Sequence, residues 1–183
     1  MAHIITLAGS PSAHSRSTRL LGEAEAQLRE AGFSVQRFSI EDFPPADLLR
    51  GGTDSPAAQA LNAAIEEADG LLIASPVYQA SFTAGLKGIL DQIRHRGLRG
   101  KVVMSLSTSG SAASRHALEL SLLPVLRSLE ARHIEPGLNV PDKDFPSPAE
   151  TTAPDIPDEI RIYLRNGLAT FCERVDSAQT TLV

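Results

Sequence analysis

The sequence predicts a single α/β domain, residues 1–183, built around a parallel sheet. Short apolar runs alternate five times with segments that carry apolar residues at helical spacing. Strands and helices that alternate in this way form parallel sheets with right-handed crossovers and helices on both faces. The composition agrees with this class, because 42% hydrophobic and 21% charged residues are ordinary values for a globular domain.

The first strand and the first helix enclose a loop that is rich in hydroxyl groups. An apolar run from Ile4 to Ala8 breaks at Gly9, and a helix is predicted over about 17–31. The first amides of a helix have no intrahelical acceptor and carry partial positive charge. The loop adds hydroxyls and one guanidinium suited to phosphate oxygens, from Ser10, Ser12, Arg16, Ser17 and Thr18. We therefore expect this loop to bind a phosphate.

The next segment predicts an edge strand, a loop and a second helix. Residues 34–40 alternate polar and apolar side chains, as in a strand with one wet face near a sheet edge. Pro44 and Pro45 indicate that a loop follows. A cap at Asp54 or Ser55 then begins a helix.

Two strands follow in the middle of the chain. Residues 70–75 are a short continuous apolar run, typical of a strand that is covered on both faces, and residues 102–107 form the next strand. Between them, a helix is predicted from about Thr83, ending before Gly97. This alternation continues the parallel sheet.

The last third of the chain predicts two helices, a short strand and a long excursion. A helix over about 118–129 contains Pro124, which is expected to kink it or locally widen its backbone ladder. A short strand is expected near 132–135. The excursion over 136–157 holds six of the twelve prolines, and loops this long are usually functional or part of an assembly. A final helix over 160–175 packs back on the sheet.

Five strands fit the order 2-1-3-4-5 of the flavodoxin-like three-layer sandwich, whose ligand crevice lies beyond the carboxyl ends of the strands. In that order, the exits of the first, third and fourth strands converge. The third exit can flank a planar ring with Pro76, Val77, Tyr78 and Gln79, and the fourth can reach the ring's polar edge with Thr108, Ser109, Gly110 and Ser111. A phosphate site beside a planar-ring site describes a mononucleotide, and flavin mononucleotide (FMN) fits best.

These three turns together resemble the NAD(P)H-dependent FMN reductase family. The resemblance rests on the stretch from Gly9 to Thr18, on Pro76-Val77-Tyr78 with Gly85-Leu86-Lys87 and Asp91, and on Thr108-Ser109-Gly110. It spans nearly the whole chain. It is strongest to the flavin reductases of bacterial two-component alkanesulfonate monooxygenase systems, a subgroup that Gly100–Val103 and Leu123–Leu126 support.

The resemblance implies that NADPH or NADH reduces FMN by hydride transfer and that the reduced flavin passes to a partner monooxygenase. Because the cofactors carry this chemistry, no catalytic side chain is assigned. The resemblance gives the phosphate to Ser10, Arg16, Ser17 and Thr18, the ring system to Pro76–Gln79, and the pyrimidine edge to Thr108–Gly110. It also implies a homodimer or homotetramer. Leu120 stands where some relatives carry a tyrosine over the flavin, so flavin retention and transfer are expected to differ.

Two other flavin-based functions stay open at this point. One is a quinone, azo-dye or metal-oxyanion reductase that keeps FMN tightly bound. The other is a non-enzymatic electron carrier like flavodoxin, although a net charge of −5 is modest beside the strongly acidic face of such carriers.

Charge and motifs argue against several further classes. A net charge of −5 and an isoelectric point near 5.5 disfavour a nucleic-acid binder. The sequence contains neither a G-x-x-x-x-G-K-[ST] nor a G-x-G-x-x-G motif. Cys172 is the only cysteine, the histidines lack metal-ligand spacing, and neither a signal peptide nor a membrane-spanning run is present. We expect a cytoplasmic protein without a metal site.

Overall fold

A parallel sheet forms the centre of the computed structural model, which describes residues 1–111, 114, 116–145 and 156–180. Its strands are β1 (His3–Ala8), β2 (Ser34–Ser39), β3 (Gly70–Pro76), β4 (Val102–Ser109), β5 (His133–Ile134) and β6 (Leu138–Pro141). They lie in the order β2-β1-β3-β4-β5, and β6 also pairs with β4. All these pairs are parallel. The predicted order is confirmed, with a sixth strand attached.

Helices cover both faces of this sheet. They are α1 (Arg16–Glu30), α2 (Pro45–Arg50), α3 (Pro56–Glu67), α4 (Ala84–Leu90), α5 (Ala117–Ser128) and α6 (Asp158–Thr180). Apolar residues of α1 and α6 form one core on one side, whereas α3, α4 and α5 form a second core on the other. The flavodoxin-like three-layer architecture is therefore confirmed. Within the described part of the chain, no helix combines the length and the apolar character that a membrane crossing needs.

Burial explains why the strand sequences differ. β3 is buried as far as Ser75, which fits its continuous apolar run, and every residue of β4 is buried although Ser105 and Ser107 interrupt its apolar residues. Alternate residues of β4 face opposite cores, since Met104 belongs to the α1 side and Val103 to the α5 side. β2 lies at the sheet edge and exposes Gln36 and Arg37. Its predicted edge position is confirmed.

The loop predicted at Pro44 and Pro45 is wrong, because α2 begins there. Pro45 occupies the first helical position, where its missing amide costs nothing and its fixed φ suits the helix. Tertiary contact holds this six-residue helix in place. A Cβ added at Gly88 of α4 would lie 2.6 Å from the Leu48 carbonyl oxygen, so the two helices touch through their backbones.

The end of α4 is set by a buried side chain from α3. α4 ends at Leu90, well before Gly97. Asn62 donates from Nδ2 to the Gln92 carbonyl at 2.8 Å, and its Oδ1 accepts from the Arg94 amide at 2.8 Å. Because Asn62 binds the backbone that follows the helix, the chain turns away instead of continuing helically.

The predicted excursion after the short strand begins with a sheet strand instead. β5 pairs with the start of β4 and β6 with its end, so the two occupy one strand position with an interruption between them. At that interruption, a Cβ at Gly137 would collide with Ser105 Oγ. Pro141 is tolerated because it ends an edge strand. The rest of the excursion, residues 146–155, lies outside the described residues.

The predicted helix around Pro124 is present as α5. Residues Ala117–Ser128 are α-helical throughout, so the backbone ladder is not widened at the proline. Leu118, Leu122 and Leu126 are buried against the sheet. Leu120 points the other way and is 71% exposed.

Candidate functional site

The loop between β1 and α1 is folded back on itself by hydroxyl groups. Ser15 Oγ accepts from the Thr18 amide at 3.1 Å and thereby caps α1. Thr18 Oγ1 donates to the Ser12 carbonyl at 3.0 Å, which ties the loop to the first helical turn. Because the cap uses the Thr18 amide, the preceding amides of Arg16 and Ser17 are left for an acceptor outside the helix. This arrangement suits an anion.

Gly9 and Thr83 fix the same loop to its neighbours. The Gly9 amide donates to the Ala74 carbonyl at 2.7 Å, and a Cβ on Gly9 would lie 2.8 Å from that oxygen. Thr83 caps α4, because its Oγ1 accepts from the Leu86 amide at 3.1 Å. The same hydroxyl donates to the Gly9 carbonyl at 2.5 Å. The start of α4 is thus bonded directly to the predicted phosphate loop, and Ser10 beside it is buried.

The turn after β3 is a tight two-residue reversal. Tyr78 and Ser81 exchange both of their backbone hydrogen bonds, at 2.8 and 2.9 Å. The residues between them, Gln79 and Ala80, have φ values of 47° and 60°, the left-handed region that glycine favours. Tyr78 is 55% exposed at the base of this turn. The turn therefore presents an aromatic side chain and its backbone to the carboxyl edge of the sheet.

The exits of β3 and β4 are joined to each other. The Val77 amide donates to the Thr108 carbonyl at 3.0 Å, and Pro76 lies opposite Thr108 in the ladder. Thr108 is buried, whereas Gly110 and Ser111 are exposed beyond the end of the strand. The two turns predicted to hold a planar ring are therefore neighbours in one continuous rim.

Ser109 faces away from that rim. Its side chain is buried, and Ser109 Oγ donates to Asn139 Oδ1 of β6 at 3.1 Å. Asn139 Nδ2 in turn donates to Ser107 Oγ at 2.7 Å. The Ser109 hydroxyl thus links β4 to β6, and the backbone of Ser109 is the part of this residue nearest the turn.

Asp142 joins the site from a distant part of the chain. It follows β6 in a 3₁₀ turn, Asp142–Asp144, and its Oδ2 lies 3.8 Å from a terminal nitrogen of Arg16. The same oxygen would lie 3.6 Å from a Cβ built on Gly110. Asp142 therefore sits between the phosphate loop and the exit of β4. Sequence reasoning missed it, because no spacing or motif signals a contact between residues so far apart.

A separate cavity of about 560 Å³ lies beside β6, between the start of α5 and the start of α6. Its described lining includes Glu119, Asp144 and Glu159, together with His116 and Tyr163. None of the predicted site residues lines it. Three carboxylates without a lysine or arginine among the described lining make this cavity unsuited to a phosphate. The strand exits, with Arg16 and a helix N-terminus, suit one better.

The structure brings the three predicted turns to one edge of the sheet. A chain of contacts connects Gly9 to Thr83, Val77 to Thr108, and Arg16 through Asp142 to Gly110. The hydroxyls of Ser15, Thr18 and Ser109 are engaged within the protein. Contact of the predicted residues with a ligand stays a prediction. The helix start near Thr83 was predicted, but the bond from Thr83 to Gly9 was missed, because no local pattern shows a contact across 74 residues.

Titratable side chains are scarce at this edge. In the described part of the chain, no group of three or more His, Cys, Asp or Glu residues is arranged to hold a metal ion. Cys172 lies in α6, far from the turns in the fold, and burial together with the charge of Asp176 raises its pKa to about 11. It is therefore a poor nucleophile. Amides, hydroxyls and one guanidinium can bind and orient a ligand, so the chemistry at such a site would have to come from a bound cofactor.

Comparison with known proteins identifies such a cofactor. Residues 2–144 match the family model described as NADPH-dependent FMN reductase. An FMN reductase (NADPH) of Escherichia coli K12 is 41% identical over 139 residues, which cover 76% of this chain and 73% of that protein. The NADH-dependent FMN reductase SfnF of Pseudomonas putida is 35% identical, covering 74% and 75%. The solved apo structure of the NADH:FMN oxidoreductase EMOB superposes with a TM-score of 0.78 at 30% identity, covering 99% and 90%.

Proposed function

Because the chain belongs to the NADPH-dependent FMN reductase family and is an oxidoreductase that uses FMN and NAD(P)H, we propose that it supplies reduced FMN to a flavin-dependent sulfonate monooxygenase. FMN binds across the three turns as a substrate that leaves after each turnover. The single observation that supports this placement of FMN is the continuous rim, in which the start of α1 with Arg16 lies beside the turn that contains Tyr78.

The phosphate end of FMN lies at the start of α1. Ser10, Ser12, Ser17 and Thr18 surround it, and Arg16 supplies the positive charge. Two observations support this end. The helix places free amides there, and the Arg16 side chain is partly exposed, so that it can reach a ligand without leaving a buried partner.

The ring system lies along Pro76–Gln79, with its pyrimidine edge toward Thr108, Ser109, Gly110 and Ser111. A flavin bound there would supply the redox chemistry, by accepting a hydride from the nicotinamide. The protein contributes position: the turn at Gln79 holds the backbone beside the ring, and the exposed amides after β4 meet the polar edge. No proton-transfer residue is required in this arrangement.

Assembly is part of the proposal. Residues 1–183 act as one domain that forms a homodimer or homotetramer through the outer side of α5. The exposed Leu120 supports this surface, since its large apolar side chain is 71% exposed on the face of α5 opposite the buried Leu118 and Leu122. Sedimentation equilibrium at micromolar concentration should give a multiple of 19.5 kDa, and a monomer mass would refute it.

The activity is tested by the oxidation of NADPH and NADH in the presence of FMN or riboflavin. The donor role is then tested with a flavin-dependent alkanesulfonate monooxygenase, whose sulfite release should depend on this protein, FMN and the nicotinamide. Absence of FMN-dependent nicotinamide oxidation would refute the activity. FMN that stays bound through gel filtration, with faster turnover on quinones than on free flavin, would favour a quinone or azo-dye reductase instead.

The Arg16→Ala variant tests the phosphate end. Loss of one charge-assisted contact from a partly exposed site should weaken FMN binding about tenfold, while riboflavin, which lacks the phosphate, should bind as before. Arg29→Ala is the matched control, because it removes a guanidinium from the opposite end of the same helix. An equal loss for both flavins in Arg16→Ala would place the phosphate elsewhere.

A further inference from the structure

The fold fixes the position of Asp142 at the proposed phosphate site. Pro141 lies opposite Ser109 in the β4–β6 ladder, so the next residue emerges beside the exit of β4. Three residues later, Phe145 is buried in the α1-side core. The Arg19 guanidinium carbon lies 5.9 Å from the centre of the Phe145 ring. Arg16 contacts Asp142, and Arg19, one helical turn later, contacts Phe145. These two contacts hold the segment against the start of α1.

The ion pair between Asp142 and Arg16 is loose. Its closest distance is 3.8 Å, beyond the range of a hydrogen bond, and the two side chains are 35% and 41% exposed. A pair built for structure looks different in the same protein: Arg37 contacts the buried Glu25 with two bonds of 2.7 Å. The guanidinium of Arg16 can therefore change partner at little cost.

A carboxylate at this position has the same charge as the ligand. A phosphate that approaches the start of α1 gains the amides and Arg16, but it also displaces Asp142 from the guanidinium. The like charges repel across a few ångströms of partly exposed site. Asp142 therefore opposes phosphate binding, although it lies among the residues that favour it.

We infer that Asp142 competes with the FMN phosphate for Arg16 and thereby keeps the flavin dissociable. This rests on the proposed function, in which Arg16 holds the phosphate. When the phosphate leaves, Asp142 takes its place at the guanidinium, so that the empty site keeps its charge balanced. The competition lowers the affinity for FMN relative to riboflavin and speeds the release of reduced FMN to the next enzyme.

The inference is tested by measuring the affinity of Asp142→Asn for FMN and riboflavin through quenching of flavin fluorescence. The variant should bind FMN about three- to tenfold more tightly, since both the competition and the repulsion are removed. Riboflavin binding should be unchanged. Stopped-flow dissociation should show slower FMN release, and the gain should shrink at high salt. Asp144→Asn, which removes one charge from the same 3₁₀ turn, is the matched control and should leave both affinities unchanged.

A double variant separates competition from repulsion. In an Arg16→Ala background, Asp142→Asn should improve FMN binding less than twofold, because no guanidinium remains to compete for. An undiminished gain there would overturn competition. A loss of affinity for both flavins in Asp142→Asn would show that Asp142 contacts the ring or supports the turn, and would also overturn it. Asp142→Ser is a second variant that removes the charge, and thermal melting shows whether each variant is folded.

The two proposals fail in different ways. Wild-type protein that binds FMN and riboflavin equally would refute the phosphate site, and the inference with it. A wild-type preference for FMN that Arg16→Ala abolishes, combined with unchanged FMN affinity in Asp142→Asn, would keep the site and overturn the inference alone.

Discussion

Replacement of Thr83 by valine should destabilise the protein and loosen its flavin site together. The hydroxyl of Thr83 makes two bonds at once, from the Leu86 amide and to the Gly9 carbonyl. Thr83 is only 4% exposed, so water cannot replace either bond. Valine has nearly the same shape, and the substitution therefore removes the hydrogen bonds without creating a cavity.

The expected magnitude follows from the two bonds. Loss of a threonine cap from a helix start costs about 1 kcal/mol. A buried carbonyl left without its donor costs about 1–3 kcal/mol more. The free energy of unfolding should therefore fall by about 2–4 kcal/mol. FMN binding should also weaken, because the phosphate loop loses its bond to the start of α4.

Urea unfolding followed by far-ultraviolet circular dichroism measures this change, since the chain has no tryptophan to report by fluorescence. Thr83→Ser is the control, because serine keeps the hydroxyl and should stay much closer to the wild type. A Thr83→Val variant within about 0.5 kcal/mol of the wild type would show that the two bonds do not hold the loop.

Two further predictions concern stability. Gly9→Ala should cost about 1–3 kcal/mol, because its Cβ would lie 2.8 Å from the Ala74 carbonyl oxygen. In the helical position of Gly22, a Cβ would make only an ordinary contact of 3.5 Å with Arg37 Nη2, so Gly22→Ala should stabilise by up to about 1 kcal/mol in the same urea assay. Equal effects of the two substitutions would contradict the clash at Gly9. Because burial raises the pKa of Cys172 from 9.0 to about 11, the unfolded thiol ionises first between these values, so stability falls as pH rises through that window. Between a pH below this window and a pH within it, the free energy of unfolding should fall less for Cys172→Ala than for the wild type. Identical pH profiles of the two proteins would show that ionisation of Cys172 is not the cause.

The strand order could be predicted because buried parallel strands have an unmistakable sequence. The run that became β3 is apolar as far as Ala74, and β4 begins with three apolar residues before its first serine. Once the order is known, the exits must meet at one edge. The positions of the three turns therefore followed from local patterns, and so did the edge position of β2.

The missed elements depend on contacts that a local pattern does not contain. α2 has two prolines at its start and only six residues, and what holds it is the crossing with Gly88. β6 begins after Gly137 and ends in Pro141, both of which argue against a strand. It forms because β4 offers a free edge, and an edge strand needs partners on one side only.

The same distinction explains what was predicted of the site. The hydroxyl groups, Gly9 and Arg16 that follow β1 predict an anion site, because they lie together in the sequence. Asp142 lies in the site only because β6 ends beside β4, and nothing near Asp142 in the sequence shows this. Local sequence thus predicted the groups that we propose to attract the ligand, whereas the proposed competitor, Asp142, became visible only in the fold.

The scarcity of titratable groups at the site fits a reaction whose chemistry the cofactors carry. A reductase whose hydride moves between two bound cofactors needs fixed distances more than proton transfer. The rim supplies fixed backbone: Thr83 bonds to Gly9, Val77 bonds to Thr108, and Gln79 is kept in a left-handed conformation between the paired residues of its turn. Such a conformation in a residue other than glycine persists only where its surroundings enforce it, and it is commonest at binding sites. In the proposed placement of FMN, rigid backbone therefore lies at the ring end of the site and exchangeable charge at the phosphate end. This division would suit a flavin that is held in register during reduction and then released, as we propose.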